Sequence, residues 1–175
     1  MLYSDCFMGI FDTRVTPELA DSYITCAKAL HQWKDHPEYG YLFASMEAIC
    51  DVLSIKYALG VNTRSAYAAG DRTALAKLAE DYASVQGYIE TFYEAYRKQW
   101  MLENKPCGFE IHDQRMGGLL MRVKHCQKRI EAYLAGELER IEELEETILD
   151  IEGKSGTQEA MEYNVWAYTV SANVV

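Results

Sequence analysis

From Asp71 to Glu103 the apolar residues Leu75, Leu78, Tyr82, Val85, Ile89, Phe92, Tyr96 and Trp100 follow one another at steps of three and four. That spacing predicts a helix burying one continuous seam. At 1.5 Å per residue it would run about 50 Å, so it needs an equally long partner. After Gly118, residues Leu120, Val123, Ile130, Leu134, Leu138, Ile141, Leu144, Ile148 and Ile151 recur at similar spacing. They predict that partner, and the two helices together predict an antiparallel hairpin.

Upstream, Thr16-Pro17-Glu18 reads as a helix start, with Thr16 as N-cap, Pro17 in the first turn and Glu18 favourable to the dipole. This helix is expected to bury Leu19, Tyr23, Ile24, Ala27 and Leu30. Residues 31–37 break it at Pro37. A second helix follows with Leu42, Met46, Ile49, Leu53 and Tyr57 on one face and Gly60 as its stop. A short helix is expected over 62–69, before Gly70 and the Asp71 cap.

Both ends of the chain read differently. Residues 1–15 carry Phe7, Met8, Ile10 and Phe11 around Gly9 without a clear period, an apolar lead-in expected to pack against something that precedes it. Gly153-Lys154-Ser155-Gly156 is a break. Beyond it Val165 to Val175 is rich in β-branched and aromatic residues, which predicts an extended segment. A lone strand leaves its own backbone unpaired, so it should pair with residues 108–112 or with a sheet outside the chain. The expected architecture is therefore one mainly all-α domain over 1–175: a lead-in (1–15), a helical bundle with a long hairpin (16–152), and a loop with an extended tail (153–175).

Composition narrows the function classes. A net charge of −10 argues against nucleic acid, since phosphate binding needs a positive footprint. No apolar run reaches the roughly 20 residues that cross a bilayer, and Met1-Leu2-Tyr3-Ser4-Asp5 lacks the basic start of a signal peptide. Five cysteines, Cys6, Cys26, Cys50, Cys107 and Cys126, are odd in number and lack a Cys-x-x-Cys pair. They predict free thiols, with Cys26 and Cys50 packed as small hydrophobes, and a reducing, cytoplasmic setting.

Candidate chemistry is sparse. His31 and His36 flank Asp35, but no further ligand falls at metal-binding spacing. His125 and Cys126 are adjacent on a helix and so point about 100° apart. Phosphate-loop, nucleophile-elbow and His-Glu-x-x-His motifs are absent from the sequence. No catalytic residue, cofactor or metal ligand is therefore assigned. Tyr39, Tyr41, Tyr67, Tyr163 and Tyr168 lie near helix ends or loops, where a tyrosine suits an interface.

The run from Glu103 to Leu120 stands apart, with Pro106, Gly108, Gly117 and Gly118 among paired charges. Phe109 and Ile111 alternate with Glu110 and His112, which predicts a short extended piece. Gly117-Gly118 predicts a close backbone approach, and Asp113 with Arg115 a charge pair holding the crossing. A small enzyme built on His112, Asp113 and Arg115 is a further reading of this run.

Trp100, Glu103-Asn104-Lys105-Pro106, Gly108-Phe109-Glu110, Asp113, Arg115, Gly117-Gly118-Leu119 and Arg122, followed by Tyr133-Leu134, Gly136 and Ile141 to Glu145, resemble the C-terminal helical region of bacterial family 20 glycoside hydrolases. These are β-N-acetylhexosaminidases of the three-domain type. Residues 4–12 resemble the segment leaving their catalytic barrel. Cys107 and Gln114 depart from the apolar residues expected at those positions.

The resemblance implies a non-catalytic accessory domain that packs on a (β/α)8 barrel of the same polypeptide and supports a homodimer. Catalysis in this family belongs to the barrel, through a neighbouring Asp-Glu pair acting with the substrate's acetamido group. This sequence has no Asp-Glu dipeptide. Trp100, Glu110, Asp113 and Arg115 are the expected contacts to the barrel or to the rim of its active site. The competing reading is an autonomous helical scaffold that binds another helix pair.

Overall fold

A computed structural model describes residues 1–9 and 12–147. After a 3-10 turn at Asp12–Arg14 come α1 (Pro17–His31), α2 (Gly40–Ala68), α3 (Arg72–Glu103), α4 (Phe109–Ala135) and the short α5 (Glu142–Glu145). The described residues form a helical bundle, as the spacing predicted. The extended tail expected over 165–175 lies outside them.

Helix α3 has the predicted bounds. The Asp71 side chain accepts the Ala74 N–H at 2.9 Å and closes the first turn. Leu75, Leu78, Tyr82, Val85, Ile89 and Phe92 are all buried, so the three-and-four spacing did mark the core face. Helix α4 runs antiparallel to it. Arg72 donates to the carbonyls of Tyr133 and Leu134, Gln86 to Gln127 at 2.5 Å, and Tyr93 to Asp113 at 2.8 Å. As one strand of the hairpin advances, the other recedes.

The partner helix differs from expectation at both ends. It begins at Phe109, so residues 109–112 are helical and not extended. The alternation of Phe109 and Ile111 was a four-residue coincidence. The buried set Phe109, Met116, Leu119, Val123, Cys126 and Ile130 steps by three, four or seven, and Ile111 is exposed. At the other end Gly136 adopts φ 79° and stops α4, where the apolar spacing had suggested continuation to Ile151. The chain then folds back. Ile141 is fully buried and donates its N–H to Tyr67 at 2.9 Å, while Arg129 pairs with Glu142 and Glu143, both at 2.8 Å. Part of the glutamate-rich run expected to be a solvated face is thus tied to α4.

Helix α2 is continuous where a stop at Gly60 and a separate helix over 62–69 were expected. Gly60 serves a close approach instead: a Cβ there would sit 2.8 Å from the Cys6 carbonyl oxygen. α2 lies between α1 and α3, so it buries Ala48, Val52, Tyr57, Leu59 and Thr63 on more than one side. One-sided spacing misplaced Met46, which is exposed. Leu19 and Ile24 of α1 are also exposed, because α1 packs chiefly on α2 and its outer side is uncovered.

The lead-in belongs to this core. Phe7 and Cys6 are buried, and the Phe7 ring meets Tyr82 edge-on with centroids 6.5 Å apart. Asp5 pairs with Arg122 of α4, while Asp12 and the Cys6 carbonyl take the Arg64 guanidinium of α2. The expectation that this segment packs on something preceding it is corrected for Cys6 and Phe7. The lack of periodicity follows from its mostly irregular path across three helices.

Candidate functional site

At the hairpin tip an aromatic cluster assembles from both long helices. Tyr96, Trp100, Phe109 and His112 lie within 5.1–6.3 Å of one another, centroid to centroid. Trp100 donates its indole N–H to the Lys105 carbonyl at 2.8 Å, which fixes the connecting loop. Glu110 accepts the Gly108 N–H at 2.7 Å, a local cap on α4 favoured by the helix dipole. Burial, helped by the nearby Arg115 charge, lowers the His112 imidazole pKa below its ordinary value.

The four expected contact residues do not converge on one centre. Asp113 takes the Tyr93 hydroxyl and faces a cavity of about 430 Å³ that Glu90, Glu94 and Leu120 also line. Its carboxylate raises the Tyr93 phenol pKa, the hydrogen bond being the main cause. Arg115, two residues on, lines a different cavity beside Tyr3, Asp5 and Lys56. Residues two apart on a helix do not face each other, and Asp113 bonds across to Tyr93 of α3. The same geometry leaves the small-enzyme reading without a shared focus for His112, Asp113 and Arg115.

Gly117 and Gly118 sit mid-helix with nothing within 4 Å of an added Cβ. The close approach expected of them occurs at Gly60. Trp100 joins His112 and Phe109 in the cluster, whereas Glu110 caps the helix at the exposed turn.

The other candidate groups have local partners. His31 Nδ1 lies 2.5 Å from Glu47, and His36 Nδ1 accepts the N–H groups of Glu38 and Tyr39. Among the described residues no three His, Cys, Asp or Glu side chains are placed to hold a metal ion. The buried thiols are Cys6 and Cys126, while Cys26 is exposed and Cys50 half-buried, so the pair expected in the core is not the pair found there. Burial pushes the Cys126 thiol pKa far up, and that of Cys6 as well. A thiol held protonated is no nucleophile.

The second cavity, about 410 Å³, sets Arg115 beside a residue that pattern reading missed. Lys56 stands among the apolar residues of α2 and is 4% exposed. A lysine on a helix face otherwise filled by Val52, Leu53, Tyr57 and Leu59 was the available signal.

A search of curated proteins finds no match to this chain. The sequence model of the Glycoside Hydrolase 20C C-terminal domain matches residues 1–163. The chain belongs to that family.

The matched span of this 20C C-terminal domain includes the lead-in and all five helices. Residues 1–9 are therefore part of the family's domain, in keeping with the burial of Cys6 and Phe7. The central run from Glu103 to Leu120, which carried the resemblance, forms the turn and first part of α4. No helix among the described residues is long and apolar enough to cross a membrane.

Proposed function

We propose that this domain is the non-catalytic C-terminal part of a β-N-acetylhexosaminidase, that it packs on the catalytic (β/α)8 barrel of the same polypeptide, and that it supports a homodimer. The observation that carries this reading is the family match over residues 1–163. The sequence lacks the Asp-Glu pair on which hydrolysis in that family depends.

Surface composition supports a docking role. Leu19, Ile24, Trp33, Tyr39 and Met46, on α1, the segment that joins it to α2 and the first turns of α2, expose 42–51% of their surface. Exposed apolar area of this kind suits a face that another domain covers. Trp100, Glu110, Asp113 and Arg115 are proposed contacts near the mouth of the barrel, reached from the hairpin tip and the adjoining turns of α4.

The purified chain should show no turnover of a chromogenic β-N-acetylglucosaminide. Hydrolysis well above a boiled control overturns the reading. In an enzyme that carries this domain behind a barrel, Arg115→Gln should lower kcat/KM with the unfolding midpoint unchanged; a shifted midpoint with unchanged kcat/KM would assign Arg115 to folding alone.

A further inference from the structure

The lead-in, α2 and α4 line the cavity of about 410 Å³, of which the proposed accessory role uses only Arg115. Its volume falls within the roughly 300–1,000 Å³ usual for small-molecule sites. Leu119, Val123, Cys6 and Cys126 make an apolar floor. Lys56, Arg115 and Arg122 line the cavity as well, and Asp5 is the one carboxylate in the lining. Such a cationic lining is unexpected in a chain whose net charge is −10.

The charges are not equivalent. Asp5 is fully engaged: it accepts the N–H groups of Phe7 and Met8 at 2.8 and 3.0 Å and two Arg122 nitrogens at 2.6 and 3.1 Å. Arg122 is neutralised by that pairing. Lys56 has no such partner. Its Nζ donates to the carbonyls of Ser4 at 2.6 Å and Met1 at 3.4 Å, and no ion pair among the described residues includes it.

An ammonium has three N–H donors, and one taken out of water without a counter-charge is costly. Two carbonyls, one of them distant, leave a donor and a net charge for the cavity that Lys56 lines. Gly118, which also lines the cavity, has no atom within 4 Å of an added Cβ. Space for a ligand therefore opens directly over α4.

We propose that this cavity binds a small organic anion, a carboxylate with an aliphatic or aromatic body, whose charged end meets Lys56 and whose body rests on Leu119 and Val123. The apolar lining distinguishes this ligand from inorganic phosphate, which has no apolar surface to set against it.

The test is titration of the intact chain with hexanoate, its neutral analogue hexanamide and inorganic phosphate, followed by NMR shifts and calorimetry. Hexanoate should perturb residues 118–123 saturably and bind at least about tenfold more tightly than hexanamide, the order of one charge-assisted hydrogen bond. Lys56→Met should abolish that preference. Because Lys56 also ties down the lead-in, Gly118→Leu provides a second variant, filling the cavity without removing a charge and weakening hexanoate by at least about tenfold. Equal binding of hexanoate and hexanamide, phosphate binding as tight as hexanoate, absence of saturable shifts, or a folded Gly118→Leu protein with unchanged affinity would each overturn the proposal.

Discussion

Asp5 and Arg122, 117 positions apart, meet at 2.6 Å between Oδ2 and Nε and at 3.1 Å between Oδ1 and Nη2. The pair fastens the lead-in to α4, and the Arg122 guanidinium also lies 5.4 Å from the centre of the Phe7 ring. Both side chains are about one-third exposed. Their coupling should therefore fall between the roughly 0–1 kcal/mol of a surface pair and the roughly 3–5 kcal/mol of a broken buried one. A double-mutant cycle with Asp5→Asn and Arg122→Gln, read by urea unfolding, should return about 1–2 kcal/mol. A coupling near zero would show that Phe7 and Cys6 alone hold the segment.

Two glycines in long helices should respond oppositely to alanine. At Gly60 the new methyl meets the Cys6 carbonyl at 2.8 Å and the Cys6 Cα at 3.2 Å, so overpacking should cost about 1–3 kcal/mol. At Gly87 nothing lies within 4 Å. There the substitution should stabilise by about 0.5–1 kcal/mol through helix propensity. Urea midpoints at constant slope distinguish the two.

Tyr82 is wholly buried, and its hydroxyl lies 3.1 Å from Thr63 Oγ1. Thr63 in turn donates to the Leu59 carbonyl at 2.7 Å, so the tyrosine is the donor between them. Tyr82→Phe should cost about 1 kcal/mol, and Tyr82→Ala about 3–5 kcal/mol by analogy with other large aromatic truncations. Equal losses would mean that the ring contributes little. Burial also raises the Tyr82 phenol pKa well above its ordinary value. Alkaline titration should show one tyrosine ionising only as the protein unfolds.

Acid should weaken the fold in two stages. His112 has its pKa lowered by burial and by Arg115, so the unfolded chain takes up that proton first. Its contribution is complete above about pH 6.5 and is lost as pH falls through the lower folded value. Asp5 behaves likewise in a more acidic range: burial acts to raise its pKa, but the Arg122 hydrogen bond and charge, with the Phe7 and Met8 N–H groups, outweigh it. That contribution is present above about pH 4 and disappears below it. Unfolding midpoints across pH 3–7 should fall along both limbs, with His112→Gln flattening the upper one and Asp5→Asn the lower. An unchanged upper limb in His112→Gln would remove His112 as its source.

Much of the bundle was legible because helices bury stripes, and stripes repeat at a fixed period. Asp71 to Glu103 is the clearest instance: its seam, cap and bounds were all present as spacing. Legibility failed where a segment served more than one neighbour. α2 is covered on two sides, so its one-sided pattern misplaced Met46 and turned Gly60 into a stop. The candidate site suffered in the same way, since Lys56, Asp5 and Arg122 come from three distant segments and no local spacing links them.

The sequence by itself determined the helical class, the hairpin, the absence of a polyanion-binding charge and, through the run from Glu103 to Leu120, the family. These are properties of short-range periodicity, composition and local residue order. Only the tertiary structure decided that α4 starts at Phe109 and that the lead-in lies inside the core. It also decided that Asp113 and Arg115 serve different cavities and that a lysine is buried beside one of them. Each depends on which surfaces meet, and close packing across residues up to 117 positions apart is not encoded in any local repeat.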